Sequence, residues 1–253
     1  TDLFLSGSNM YYLYSETPKV NKYKNLFMNT AGGRQQIKIL MQKQHEFSEI
    51  KDILREHKLP EELAFLPFVE SFLRSHARSK AGAVGLWQFM GFTAKNFGLK
   101  VNWWCDERLN PEKSTIAAIN YLKKLYGMFG DWEFVILAYN CGEYGLLRKI
   151  KKYGRTDGYK KLPLETQEFL VKIKALIQLF NDYNMKSKEQ DDVVYVSHPL
   201  KGFWDLNDLA YKLHYSSHKL KKLNPEYKYG YVLYGTNYIK IPRELYGKIK
   251  TVK

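Results

Sequence analysis

This chain has little that would support a metal site, a disulfide framework or a membrane span. Its two cysteines, Cys105 and Cys141, form no Cys-x-x-Cys pair, which excludes a disulfide scaffold and a thiolate zinc cluster. One bridge between them and two buried free thiols are both compatible with the sequence. His214 and His218 are four apart, but Ser216 and Ser217 interrupt the helix between them, so no metal is expected, and no other cofactor. The longest apolar run free of proline, FVILAY, falls far short of the roughly 18 residues that suggest a membrane span. The opening TDLFLSGSNM lacks the basic start of a signal peptide, as a processed or truncated chain also would. Acids are in deficit: 26 Asp and Glu face 40 Lys and Arg, a net charge of +14. Such a balance suits a polyanion, whether nucleic acid, anionic lipid or an acidic cell-wall polymer. No Lys/Arg motif sits on a recognition element, so a nucleic-acid partner is not expected.

What is present points to a folded, mainly helical protein. Hydrophobic residues at 45% and aromatics at 15% of 253 residues support a substantial core in one large domain, or a large and a small one. From Arg34 to Glu56 the apolar residues fall at three- and four-residue spacings, which predicts one amphipathic helix. KLPEEL starts the next, with Pro60 at a first helical position and Pro67 inside it, where it should kink or locally open the helix. A short helix is expected near Thr93–Phe97, a longer one from Pro111 to about Met128, and a buried one between the N-cap of Asp131 and Gly142. Two more fit residues 143–152 and 163–183. The polar NMKSKEQDD, residues 184–192, reads as a linker. Beyond it, VVYVSH, DLNDLAYKLH, SSHKLKKLN and TNYIKIP give β-α-α-β in a small module. The expected domains are therefore 1–185, with a helical N-terminal extension to about residue 56, and 190–253.

One acid, Glu70, stands behind the apolar run LAFLPFV. Burial disfavours the charged form of a carboxyl and raises its pKa, and a carboxyl protonated near neutral pH can serve as a general acid. Three neighbouring features set it apart from an ordinary core glutamate. Ser79, Gly82 and Gly85 form a turn where backbone can approach a ligand. Trp87, Gln88 and Met90 follow, offering a flat apolar face and an amide for a ring-shaped polar substrate. Tyr139 and Asn140 stand at the end of the buried helix.

The order LPFVES, SKAGAVGLWQFM, DERLNP, AYNCGEY resembles the lytic transglycosylases with the goose-type lysozyme-like fold, in the membrane-bound murein transglycosylase D branch, over roughly residues 20–183. The patterns Glu-Ser, Gly-Leu-x-Gln-x-Met and Ala-Tyr-Asn-x-Gly all occur in order. The resemblance implies an all-helical lysozyme-like catalytic domain in which Glu70 is the sole acid and base. It puts Ser79 and Gln88 at the sugar subsite, Met90 beside it, and Tyr139 and Asn140 where the family orients acid and substrate. PLETQEF takes the place of a Pro-x-Glu-Thr-x-x-Tyr segment, so Phe169 stands where the family has a tyrosine and its hydroxyl is missing. The implied reaction is cleavage of the bond between N-acetylmuramic acid and N-acetylglucosamine without water, leaving 1,6-anhydro ends.

The tail resembles a divergent LysM module, which implies binding to N-acetylglucosamine-containing glycans. PLKGFWDL stands in place of the usual Gly-Asp-Thr-Leu opening. Removal of 190–253 is expected to weaken binding to sacculi more than it slows cleavage of short glycans. The implied partners are peptidoglycan glycan strands, the implied location the periplasm or cell envelope, with any anchor supplied by a segment outside this chain and the protein a monomer. Two alternatives stay open: a lysozyme, with Asp106, Glu107 or Glu143 as a second carboxylate, and a non-catalytic wall-binding scaffold.

Overall fold

Thr17, Thr30 and Asp131 each open a helix by accepting a backbone N–H, from Val20 at 3.2 Å, Gly33 at 3.0 Å and Phe134 at 3.1 Å, which satisfies donors that have no partner inside the helix. The first two caps start α1 (Pro18–Asn29) and α2 (Ala31–Gln42), and α3 is Gln44–Glu56. The computed structural model describes residues 11–182, 195–233, 236–250 and 252; the linker read at 184–192 lies outside them. The single helix expected over Arg34–Glu56 is two, parted at Lys43, whose φ of −109° and ψ of 27° are not helical. A tertiary bond accounts for the break: Lys43 Nζ donates to the carbonyl of Leu73 at 2.9 Å, and local propensity yields to it.

Pro60 does not enter a helix. It precedes a 3₁₀ turn, Glu61–Ala64, after which α4 runs Phe65–Ser71. Because α4 starts afresh at Phe65, Pro67 falls in its first turn, where an N–H would have no intrahelical acceptor. The winding changes from 3₁₀ to α two residues ahead of Pro67. Helices α5 (Gly91–Asn96), α6 (Pro111–Phe129), α7 (Trp132–Cys141), α8 (Glu143–Lys160) and α9 (Leu164–Asp182) complete the helical part. α8 outruns its expected end because Gly154, at φ 76°, bends the chain and the winding resumes.

The chain forms two compact units that cut across chain order. The first takes the described residues through Arg74, then Leu86–Gln88, then those from Thr115 to Asp182. Its axis is α9, buried on nearly every side and packed on α1, α4 and α7. Phe47, Phe65 and Phe180 meet there, with ring centroids 4.9 to 5.9 Å apart. Lys174, buried in α9, is held by Glu133 at 2.5 Å and Ser15 at 2.8 Å, as a buried cation must be.

The second unit takes Ser75–Gly85, Phe89–Ser114 and the described residues from 195 onward. Strand β1 (Tyr195–Lys201) pairs antiparallel with β4 (Thr236–Pro242) along its whole length, from Tyr195↔Pro242 to Lys201↔Thr236. Ile239 and Ile241 of β4 are buried while Tyr238 is exposed, the two-residue alternation of a one-faced strand. Between them lie α10 (Leu206–Lys212) and α11 (Ser217–Leu223), so the β-α-α-β order stands. A two-residue ribbon was not foreseen: β2 (Trp204–Asp205) pairs with β3 (Tyr231–Val232). Nor was α12 (Tyr246–Ile249). Leu206, Leu209, Leu213, Leu220, Val232 and Ile241 form the core, and Cys105 of the 89–114 stretch is part of it. Cys105 bridges to Tyr227, Asp106 N–H donates to the Glu226 carbonyl at 2.9 Å, and Lys228 N–H donates to that of Trp104 at 3.1 Å. The C-terminal residues thus share their core with a stretch a hundred residues upstream.

Candidate active site

Glu70 is the sixth residue of α4 and is half-buried. The helix stops directly after it. Ser71 closes the winding, and Phe72 and Leu73 take left-handed φ values of 53° and 55°, an unusual pair of strained non-glycine residues. Two bonds hold this end in place. Ser71 Oγ donates to the carbonyl of Leu86 at 2.8 Å, and Lys43 caps the Leu73 carbonyl as described. Ser71, the partner of Glu70 in the Glu-Ser pair, therefore ties the acid's helix to the Leu86–Gln88 segment. Sequence reading had assigned it no such task.

Burial pushes the Glu70 carboxyl up to about 7, with the negative charge of Glu165 adding to the rise. Among the described residues no arginine or lysine pairs with it. Glu165 is exposed in the first turn of α9, inside the PLETQEF segment. The segment drew notice for Phe169; the acid four residues earlier is the one Glu70 feels. Phe169 itself is buried.

Tyr139, part-buried near the end of α7, donates its hydroxyl to the Trp87 carbonyl at 2.6 Å, and its ring lies edge-on to that of Trp87. Burial and the charge of Glu70 hold its pKa well above the usual phenol value, so it remains a neutral donor beside the acid. Asn140 is half-buried next to it, and Gln88 is half-buried with a left-handed φ of 50°. Glu70, Gln88, Tyr139, Asn140 and Phe169 all belong to the first unit. Trp87 departs from expectation. It is fully buried, with its indole N–H donating to Thr115 Oγ1 at 2.9 Å, and it is a core anchor and offers no face to a sugar.

Ser79 and Met90 belong to the second unit. Ser79 Oγ accepts the N–H of Ala83 at 3.0 Å, closing the glycine turn on itself, and Met90 is 46% exposed. Arg108 braces this turn. Its guanidinium grips both oxygens of buried Asp106 at 2.8 and 2.9 Å and donates to the carbonyls of Gly82 at 3.2 Å and Phe89 at 3.0 Å. Gly85, at φ 84°, passes so close to that arginine that a Cβ would lie 1.9 Å from the Arg108 carbonyl oxygen. Only glycine fits there.

The carboxylates considered as partners of Glu70 are engaged elsewhere. Asp106 holds Arg108. Glu107 takes Lys113 Nζ at 2.7 Å and the N–H of Lys100 at 2.6 Å. Glu143 accepts from Lys124 at 2.9 Å and Tyr121 at 2.8 Å; burial pushes its carboxyl up, but those donors hold it below the usual value. Both cysteines are free thiols.

The chain is similar in sequence to known proteins. Residues 47–162 match the family model of the transglycosylase SLT domain. Over 207 residues the chain is 32% identical to the membrane-bound lytic murein transglycosylase D of Escherichia coli, an alignment covering 76% of this chain and 45% of that protein. A stretch of 78 residues is 45% identical to the peptidoglycan transglycosylase gp16 of Escherichia phage T7, covering 30% of this chain and 6% of the phage protein. The solved structure of lytic transglycosylase Slt from Pseudomonas aeruginosa aligns with a TM-score of 0.49 at 18% identity, over 64% of this chain and 28% of that one. The chain spans less than half the length of the transglycosylase D relative. Residues 47–162 thus carry the similarity to the transglycosylase SLT domain family, and a wider similarity extends to the transglycosylase D protein.

Proposed function

We propose that this chain is a peptidoglycan lytic transglycosylase in which Glu70 acts first as acid and then as base. The observation that carries the reading is a half-buried carboxyl with a pKa of about 7 and, among the described residues, no lysine or arginine paired with it. Such a group holds a proton at neutral pH and, once ionised, can take one back. In the first half-reaction the Glu70 carboxyl gives its proton to the oxygen linking N-acetylmuramic acid to N-acetylglucosamine, and the C1–O bond breaks. The substrate's acetamido group steadies the cationic C1. In the second, the C6 hydroxyl of the same muramic residue attacks C1 and its proton returns to Glu70. The 1,6-anhydro ring closes, and no water is consumed. In the first unit Tyr139, Asn140 and Gln88 hold the sugar, and Phe169 fills space without a hydroxyl; Ser79 and Met90 of the second unit keep the sugar-binding roles that the resemblance implies.

Mass spectrometry of digested sacculi tests this directly. Anhydro ends lighter by one water than hydrolysed ends are the expected result; hydrolysed ends alone would overturn it. One observation favours the hydrolase as second reading: Glu165 is a carboxylate close enough for its charge to reach Glu70, and a two-carboxylate glycosidase would use it. Glu165→Gln separates the two. If Glu165 only tunes the acid, the variant keeps its turnover. Loss of the negative charge then lowers the Glu70 pKa, and the alkaline limb of the rate profile moves to lower pH. A loss as complete as that of Glu70→Gln would favour the hydrolase.

The proposed substrate is the glycan strand of peptidoglycan and the proposed workplace the cell envelope, with the chain acting as a monomer and any anchor lying outside it. The similarity to a membrane-bound murein enzyme supports this placement, and so does the net charge of +14, which suits an acidic polymer. No helix among the described residues is long and apolar enough to cross a membrane. Residues 190–253 would serve as a LysM-like glycan-binding module.

A further inference from the structure

The segment NWWCDERLNP contributes to the core through Cys105 and to the turn through Arg108, yet its first tryptophan does neither. Trp103 is 68% exposed. Its ring lies 5.2 Å from that of Trp104, which packs on the second unit's core, and 6.3 Å from that of Tyr229, itself 61% exposed. One residue past Gly230, Tyr231 stacks on Phe203 at 5.6 Å with the planes 23° apart, and both are exposed. The Trp103–Tyr229 rings are tilted by 41° and the Tyr231–Phe203 rings are stacked, and the two exposed pairs are linked along the chain by the short stretch Tyr229-Gly230-Tyr231.

The backbone beneath them is fixed from both sides. Lys228 donates its N–H to Trp104 and its Nζ to the Asn102 carbonyl at 2.5 Å. The Asn102 side chain accepts the N–H groups of Trp104 and Cys105 at 3.2 and 2.8 Å. Leu206 N–H donates to the Gly230 carbonyl at 2.8 Å. Exposed aromatic surface on a framework so firmly held is suited to binding, since little ordering remains to be done.

We infer that Trp103 and Tyr229, continued by Tyr231 and Phe203, form a stacking platform for N-acetylhexosamine rings of a glycan chain. This rests on the reading of the chain as a peptidoglycan enzyme and adds a binding surface to which the 102–104 loop and the C-terminal residues both contribute. The chemistry selects the occupant. Flat rings with polar edges take the C–H face of a pyranose while its hydroxyls stay in water. A row longer than one ring suits a polymer better than a single sugar. The basic charge of the whole chain favours a glycan whose substituents are acidic. A second hold on the same strand raises its effective concentration at the reacting bond.

The test measures binding of chitopentaose and of peptide-stripped glycan strands by calorimetry, and of peptide-bearing sacculi by co-sedimentation, in the full chain carrying Glu70→Gln so that nothing is cleaved. Trp103→Ala should weaken both by about tenfold and Tyr229→Ala by severalfold, the size expected of one lost aromatic stack. Trp103→Phe, which keeps a flat face, should stay within about threefold, and thermal melts should not change, because the side chain is exposed. Unchanged binding in Trp103→Ala overturns the inference. So does a loss seen only with peptide-bearing sacculi, which would make the patch a stem-peptide site. A change of oligomeric state on mutation would make it a contact between copies, and overturns it too. Anhydro-product release by the chain with Glu70 intact is assayed in parallel. Release with unchanged binding sinks the platform alone; weakened binding without release sinks the catalytic reading and leaves the platform standing.

Discussion

Glu70→Gln is expected to abolish muropeptide release, a fall of at least about a thousandfold, in keeping with the loss of the group proposed to act as both general acid and base. The same change should make the protein more stable at alkaline pH. The carboxyl's pKa is about 7 in the fold against an ordinary value of 4.5, so ionising it in place costs free energy. For a group raised in this way the stability is fully present below about pH 4.5 and is lost as the pH climbs through about 7. The gap corresponds to roughly 1–3 kcal/mol, the lower part of the range allowing for water that reaches a half-buried side chain. Glutamine has the same shape and carries no charge. Melting curves at about pH 4 should therefore coincide for the two proteins, while at about pH 8 the variant should melt several degrees higher. A variant that melts lower at about pH 8, or that still releases muropeptides, would contradict the role given to this residue.

The second large effect is structural. Asp106→Asn is expected to cost about 3–5 kcal/mol, because it leaves the Arg108 guanidinium buried without its counter-charge. For a chain of this size that corresponds to a fall in Tm on the order of 10 °C. Arg108→Met should be comparably harmful, since the carbonyls of Gly82 and Phe89 lose their donor as well. The double variant should fall well short of the sum of the two, as in any pair that acts as one unit. Additive losses would mean that Asp106 and Arg108 act separately. Activity should fall along with stability, because the braced turn carries Ser79 and leads into Met90.

The N-cap and the C-cap of α7 were legible because Asp131 and Gly142 each set one of them, whereas α1 and its Thr17 cap were not foreseen. TNYIKIP was legible as β4 to the residue, since its alternation decides which face is buried. The break at Lys43 was not, because its cause lies thirty residues away at Leu73. Glu70 could be singled out from its apolar neighbours, and its raised pKa agrees with that expectation. Glu165 escaped notice because charge acting through space leaves no periodic signature. Trp87 was misread because a tryptophan beside a glycine turn looks the same in sequence whether it faces a ligand or, as here, Thr115. Of the tail, the order of strands and helices was legible. Its partnership with 89–114 was not, as nothing local marks Cys105 as a neighbour of Tyr227.

That partnership bears on how such a protein could be inherited or re-engineered. If the tail were transplanted onto another enzyme, its core would lose Cys105, and Glu226 would lose Asn110, its neighbour at 2.8 Å. The donor would in turn be left with a raw seam where the tail had been. The two stretches can be exchanged between proteins only as a pair, so swapping the tail as though it were a detachable handle should yield insoluble hybrids.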